Sequence, residues 1–133
     1  MINLLKLTDD TTQILAVINQ YFDALYHCDC QKITTIFHPE ARYINSNEND
    51  YMNYSLQHYL TILNDREPPA KSNQNRKEEI LAVNFSNNSM ATVRLSMQMM
   101  QRSYCDFLTL IKHNGQWLII CKVFSFTQQP ADT

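Results

Sequence analysis

The sequence predicts an α+β fold, in which helices pack on one face of a largely antiparallel sheet. Apolar residues recur at three-to-four spacing in the first half of the chain, as in amphipathic helices. In the second half they alternate with polar residues, as in strands. The dipeptide Asn114-Gly115 lies between two apolar runs and favours a type I′ hairpin. The 133 residues are expected to form one domain, 1–133.

Two helices are predicted at the start of the chain. The first covers 11–27, where Asp10 with Gln13 resembles a capping box. The second follows Asp29 as N-cap, and Pro39 ends it because the residue before a proline avoids helical geometry.

A third helix is predicted in "YSLQHYLTIL", with Ser55 as its cap. Residues 64–77 are polar and contain two adjacent prolines, which predicts a long loop of the kind that can form a lid.

Five strand segments are predicted, one before the third helix and four after the long loop. They read ARYINS, EEILAVNF, MATVRLSMQMM, SYCDFLTLIK and QWLIICKVFSF. A two-residue loop at Asn114-Gly115 would place Asp106 opposite Val123 and put Lys122 on the other face, so that Lys122 and Asp106 would not pair. The face that carries Asp106 would then hold Tyr104, Leu108, Leu110, Trp117, Ile119, Cys121 and Val123.

Both faces of this last hairpin are apolar, which an antiparallel sheet in a monomer seldom needs. One face is expected to cover the helices and the other to pack on a second copy of the chain. The sequence therefore predicts a homodimer that forms through the sheet.

Asp106 is a single carboxylate within the apolar run "SYCDFLTLIK". A buried charge is costly, so such a group is neutralised, paired or used in chemistry. Two interpretations stay open here: a pocket acid or hydrogen-bond donor, or a carboxylate satisfied by tyrosines of the first helix or by the backbone.

Composition excludes several classes of partner. The net charge is -2 and there is no basic run, so neither nucleic acid nor an anionic membrane is an expected partner. The start has an acidic pair and lacks a basic region, so a cytoplasmic protein is expected. The four cysteines are expected to be free thiols, and neither a metal nor a cofactor is predicted.

Two long segments resemble the nuclear transport factor 2-like superfamily: "VINQYFDALYHCDCQKITTIFHPEARY" and "YCDFLTLIKHNGQWLIICKVF". Within it they resemble the SnoaL-like polyketide cyclases and, most closely, the family labelled "putative lumazine-binding". The resemblance spans 11–126 as the core of the domain. It implies a cone-shaped, cystatin-like fold with three N-terminal helices on a curved, mostly antiparallel sheet that encloses a pocket. Cys28 departs from the pattern, because relatives often have glycine there.

Resemblance to the ketosteroid isomerases of the same superfamily suggests roles for three residues. It places Tyr21 at their oxyanion-hole tyrosine, Asp106 at their protonated aspartate and Asn45 at their general base. An amide cannot accept and return a proton as a carboxylate does, so isomerisation by that route is not expected. A donor pair, Tyr21 and neutral Asp106, would remain to bind a carbonyl or enolate oxygen.

The favoured function is binding of an apolar or carbonyl-containing small molecule. The expected pocket residues are Tyr21, Tyr43, Asn45, Tyr104, Asp106, Leu108 and Trp117. One alternative is an enzyme of the polyketide-cyclase, isomerase or dehydratase type that uses Asp106, Tyr21 or His38 to handle a proton. His38 has a second interpretation, a capping role at a helix end. A second alternative is a homodimeric interaction module without catalysis.

Overall fold

Three helices pack on one face of a six-stranded sheet in the computed structural model, which describes residues 4–128 and the side chains of residues 8–128. The helices are α1 (Leu4–His27), α2 (Cys30–Ile36) and α3 (Leu56–Asp65). This confirms the predicted α+β class. Positions 1–3 and 129–133 of the predicted domain lie outside the described residues.

The sheet has the order β2-β1-β6-β5-β4-β3. Only β1 and β6 run parallel among these pairs, and the other neighbours are antiparallel. Its strands are β1 (Phe37–Asn45), β2 (Met52–Ser55), β3 (Lys77–Ser86), β4 (Met90–Met99), β5 (Arg102–His113) and β6 (Gln116–Gln128). The four-residue β2 was not predicted, because it is too short to show alternation.

The first helix starts earlier than predicted, at Leu4, so Asp10 lies within α1 and is not a capping residue. The residues before Thr11 include several leucines and a lysine, which favour helix and allow the helix to extend backwards. Asp10 is buried and joins α1 to the sheet: its Oδ1 accepts a hydrogen bond from Trp117 Nε1 at 3.1 Å and lies 2.7 Å from Lys112 Nζ.

A tight turn at Cys28 connects the first two helices. The backbone N–H of Asp29 donates to the carbonyl of Ala24, and that of Cys28 donates to Leu25. Cys28 has a φ of 49°, the left-handed conformation that glycine usually supplies at this position of a helix end. The predicted N-cap is confirmed, since Asp29 Oδ1 accepts a hydrogen bond from Lys32 N at 3.1 Å.

The second helix ends at Ile36, before Pro39, and β1 begins at once. His38 and Pro39 therefore lie in a strand, and the expected helix-end position of His38 is wrong. Pro39 falls where the pairing of β1 with β6 is irregular, between Phe37 and Arg42. Irregular stretches are where a sheet tolerates proline, which cannot donate a ladder hydrogen bond.

The third helix and its cap are confirmed, since Ser55 Oγ accepts a hydrogen bond from His58 N at 3.1 Å. The following 64–77 segment contains a short 3-10 turn, Pro69–Ser72. Two hydrogen bonds hold its later part against the body: Tyr26 donates to the carbonyl of Gln74, and Gln74 Oε1 accepts from the N–H of Met100.

The register of the last hairpin agrees with the prediction only near its turn, where Leu110 lies opposite Ile119. A bulge in β6 then adds one residue, and beyond it Asp106 lies opposite Phe124 and Leu108 opposite Lys122. A one-residue shift moves each later side chain of that strand to the other face. The prediction that Lys122 and Asp106 lie on opposite faces is therefore wrong, because both point into the core.

The core lies between the helices and the inner face of the sheet. Among its completely buried members are Ile14, Ile18, Tyr21, Ile33, Leu63, Leu95, Leu108, Leu110 and Ile119. Within the described part of the chain, the helices fall short of the length or apolar character that a membrane span needs.

Candidate functional site

A tyrosine of α1 and an aspartate of β5 meet in the core. The hydroxyl of Tyr21 donates a hydrogen bond to Asp106 Oδ2 at 2.5 Å, and the two residues are 0% and 1% exposed. Asp106 points inward because it shares the two-residue period of β5 with Tyr104 and Leu108. A charge-assisted bond of this length is among the stronger hydrogen bonds in proteins.

Lys122 of β6 completes this group. Its Nζ lies 4.0 Å from Asp106 Oδ2, and both side chains are buried. The same ammonium lies 5.1–5.2 Å from the centres of four aromatic rings, those of Tyr21, Tyr43, Tyr59 and Phe124. Cation–π attraction to these rings and the carboxylate together offset part of the cost of burying the cation.

Burial changes the acidity of all three groups. It raises the pKa of Asp106, while the Lys122 ammonium and the hydrogen bond from Tyr21 act in the opposite direction. It lowers the pKa of Lys122 to about 8, with Asp106 opposing. It raises the pKa of Tyr21 well above its usual value, and the neighbouring Asp106 adds to this rise. The Lys122 ammonium favours the ionised form of Asp106, whose Oδ2 accepts the hydrogen bond from the Tyr21 hydroxyl.

Two polar atoms in this region have no hydrogen-bond partner among the described residues, namely Asp106 Oδ1 and the hydroxyl of Tyr59. Both are buried. Buried polar atoms without a partner are rare in native proteins, and they often have a functional role or bind an ordered water.

A cavity of about 250 Å³ lies beside this buried group, at the end of the sheet where β5 starts and β6 finishes. Aromatic side chains form most of its wall: Tyr43, Tyr54, Tyr104, Phe124 and Phe126. Asn45, Met52, Ile62 and two arginines complete it. Tyr43 and Phe124 line the cavity, and their ring centres lie 5.2 and 5.1 Å from Lys122 Nζ, so these two rings connect the cavity wall with the buried ion pair.

The two arginines of the wall were not predicted as site residues. Arg102 donates to the hydroxyl of Tyr104 at 3.4 Å, and its guanidinium lies 4.1 Å from the centre of the Phe126 ring. It lies four residues before Asp106 on the same face of β5, a signal that sequence reasoning could have used. Arg66 directly follows α3, and no pattern marks it.

Three expected pocket residues, Tyr43, Asn45 and Tyr104, do lie in the cavity wall. Asn45 is completely buried and its amide is engaged. Its Nδ2 donates to Asp50 Oδ2 at 3.1 Å, and its Oδ1 accepts from the N–H of Asn47 at 3.0 Å. Asn45 therefore shapes the wall and the following turn.

The other expected residues lie elsewhere. Tyr21 and Asp106 are behind the wall, and Leu108 is completely buried opposite Lys122. His38 and Trp117 lie towards the Asn114-Gly115 turn, at the other end of the sheet. The ring of His38 is 5.1 Å from that of His113, and its Nδ1 accepts from the N–H of Glu40; Trp117 bonds to Asp10.

Comparison with known proteins gives one family and a set of similar folds. The family described as "Putative lumazine-binding" matches residues 9–125. No curated protein matches the sequence.

Solved structures cover most of the chain at low identity. An NTF-2 like protein of unknown function from Silicibacter pomeroyi has 19% identity and a TM-score of 0.80, over 90% of this chain and 98% of its own. A cystatin-like fold protein from Burkholderia xenovorans has 20% identity and a TM-score of 0.71, over 92% and 95%. A ketosteroid isomerase-like protein from Erwinia carotovora has 13% identity and a TM-score of 0.69, over 88% and 95%. These likenesses confirm the expected nuclear transport factor 2-like, cystatin-like fold.

Proposed function

The chain belongs to the family described as "Putative lumazine-binding", and on that premise we propose that it binds a small organic molecule in the cavity walled by Tyr43, Tyr104 and Phe124. The observation that carries the proposal is the cavity of about 250 Å³. Ligand pockets are concave and mostly apolar, with a few polar groups that fix orientation. This wall has that composition, since phenol and guanidinium groups interrupt an aromatic lining.

The cavity suits a ligand of one or two rings, because its volume lies just below the roughly 300–1,000 Å³ of typical ligand pockets. Tyr43 and Tyr54 stack with their planes 3° apart, and Tyr43 also packs on Phe124. Flat aromatic walls favour a planar ligand body. The hydroxyls of Tyr43 and Tyr104 are the groups that we expect to donate to a ligand carbonyl.

Fragment screening by NMR on the full chain tests this proposal. We expect compounds of one or two rings to shift the resonances of Tyr43, Tyr104 and Phe124. The variant Ile62→Trp should fill the cavity and abolish these shifts, whereas Leu81→Trp, at a position 42% exposed on β3, should leave them unchanged. If no fragment shifts these resonances, or if the shifts survive in Ile62→Trp, the binding function is wrong.

A second candidate function is carbonyl chemistry of the cyclase, isomerase or dehydratase type, favoured by the 2.5 Å bond between Tyr21 and Asp106. In this proposal the substrate reaches past the rings of Tyr43 and Phe124 into the core. Asp106 and Tyr21 there take a proton from the substrate and return it. Binding without turnover is better supported, because Tyr21 and Asp106 are buried behind the wall and His38 lies at the other end of the sheet. Asp106→Asn should abolish turnover of a carbonyl substrate in a folded protein, and retained turnover would exclude this candidate.

We also propose that two copies pair through the outer face of the sheet. That face carries apolar side chains on β5 and β6, including Phe107, which is 57% exposed, and its cross-strand partner Val123. A second copy presents the same apolar face, so a two-fold axis would cover both. Light scattering should give the mass of a dimer. Phe107→Lys should give a monomer, and Gln57→Lys, an exposed site on α3, should not.

A cytoplasmic location stays a prediction, which the four free thiols favour.

A further inference from the structure

We propose that the ligand carries a carboxylate held jointly by Arg66 and Arg102, so that the ligand class is small planar aromatic acids. The inference rests on the proposed binding function and names the chemistry of the ligand. It differs from the sequence-based expectation of an apolar or carbonyl-containing ligand, because neither arginine was part of that expectation.

The charge of the cavity wall supports an anionic ligand. Arg66 and Arg102 are its charged members, and none of the residues that line it is acidic. Within residues 8–128, no acidic side chain forms an ion pair with either arginine. Of the nearby carboxylates, Asp106 pairs with Lys122 through Oδ2, and Asp50 accepts a hydrogen bond from Asn45. The chain as a whole is net negative, so this is a local concentration of positive charge.

Both guanidinium groups lie in a wall made mostly of aromatic residues, and that of Arg102 is held by two of them. Arg102 stacks over Phe126 and donates to the hydroxyl of Tyr104. Arg66 shares the wall with Tyr43: burial raises the pKa of Tyr43 to about 12, and the nearby Arg66 guanidinium opposes this rise. The stacked guanidinium of Arg102 loses less side-chain entropy on binding, and the planar fork of either arginine matches the two oxygens of a carboxylate.

The surroundings favour a carboxylate over a phosphate. Phosphate sites commonly use backbone N–H groups at a helix N-terminus or in a glycine-rich loop. Here Arg66 follows the C-terminus of α3, whose partial negative charge disfavours a dianion more than a monoanion. The rings of Tyr43, Tyr54 and Phe124 would then hold the planar body of the acid.

Calorimetric titration of the full chain with 2-naphthoate and with its neutral isostere 2-naphthamide tests the inference without any mutation. We expect the carboxylate to bind about tenfold more tightly, since a hydrogen bond to a charged group is worth more than a neutral one. Added sodium chloride should weaken binding of 2-naphthoate and leave that of 2-naphthamide unchanged.

Matched variants then assign the effect to the two arginines. Arg66→Gln and Arg102→Gln should each reduce binding of 2-naphthoate to the level of the amide. Arg94→Gln makes the same change at an exposed site on β4, outside the cavity wall, and should leave both affinities as they are. Thermal unfolding of each variant shows whether it remains folded.

The outcomes separate this inference from the function on which it rests. Equal binding of the acid and the amide, or tighter binding of 2-naphthyl phosphate, would overturn the carboxylate assignment and leave the binding function standing. Loss of 2-naphthoate binding in Arg94→Gln as well would also overturn it. If no fragment at all binds in the cavity, the proposed function itself fails.

Discussion

The ammonium of Lys122 lies 4.0 Å from the carboxylate of Asp106, inside a cage of four aromatic rings. The single carboxylate of the apolar β5 sequence therefore has a cationic partner as well as a hydrogen bond from Tyr21. A buried pair of this kind adds little net stability, but removal of one member leaves an uncompensated charge.

Asp106→Asn and Lys122→Met should each lower the free energy of unfolding by about 3 kcal/mol, because each leaves the other charge buried without its partner. The double variant should lose clearly less stability than the sum of the losses in the two single variants, since neither buried charge then remains. Urea unfolding of the four proteins measures this coupling. Additive losses would contradict an ion pair between these residues.

Stability should rise with pH in the alkaline range. Burial lowers the pKa of Lys122 from 10.5 to about 8 in the folded state. Between these values the unfolded chain still holds a proton that the folded chain has released, so the free energy of unfolding increases with pH. This gain in the free energy of unfolding from Lys122 is fully present above the unfolded pKa of 10.5, and it is lost as the pH falls through about 8.

Tyrosines limit this rise. The pKa of Tyr43 is raised from 10.0 to about 12, so above about pH 10 the unfolded chain loses a proton that the folded chain keeps, and stability falls again. Urea unfolding between about pH 7 and 11, compared with Lys122→Met, isolates the lysine. If the difference between the two proteins does not change with pH, Lys122 titrates normally and the prediction is wrong.

Cys28→Gly should stabilise the protein by about 1 kcal/mol. Cys28 ends α1 with a φ of 49°, a left-handed conformation that costs roughly 1–2 kcal/mol for a residue with a side chain. Cys30→Gly makes the same chemical change two residues later, at the start of α2, and should give no gain. A higher thermal midpoint for Cys28→Gly alone would support the left-handed turn, and equal effects of the two variants would contradict it.

Asp10→Ala should destabilise the protein by about 2 kcal/mol, since the indole N–H of Trp117 and the ammonium of Lys112 both lose a buried partner. Asp9→Ala is the matched control, because exposed Asp9 bonds only to Gln13 in the described structure and should change stability by less than about 0.5 kcal/mol. Trp117 is the only tryptophan of the chain, so its fluorescence reports directly on this contact. Unchanged emission and stability in Asp10→Ala would contradict the link.

Local chemistry made part of the fold predictable. Asp29 and Ser55 are short polar residues placed directly before amphipathic stretches, and each is the N-cap of the helix that follows. Asn114-Gly115 formed the expected turn, with Asn114 and Gly115 both at positive φ. The start of α1 was missed because Asp10 resembles a cap but is bound by groups from the distant β5–β6 hairpin.

The sequence predicted a residue of the candidate site only where the alternation within a single strand fixes the direction of its side chain. Tyr43, Asn45 and Tyr104 lie in the cavity wall as the strand period and the family resemblance suggested. Arg66 was not predicted as a site residue because it follows the end of a helix. The helical period, which shows where a side chain points, does not apply there. Its position in the wall depends on how α3 packs against β1 and β2.

The sequence by itself determined that Asp106 points into the core, because β5 runs as an unbroken strand whose alternation places Tyr104, Asp106 and Leu108 on one face. Only the tertiary structure decided which residue neutralises it. The extra residue in β6 depends on pairing with two neighbours at once, β5 on one side and the parallel β1 on the other. Because that single residue reverses the direction of every side chain beyond it, it turns Lys122 inward to meet Asp106.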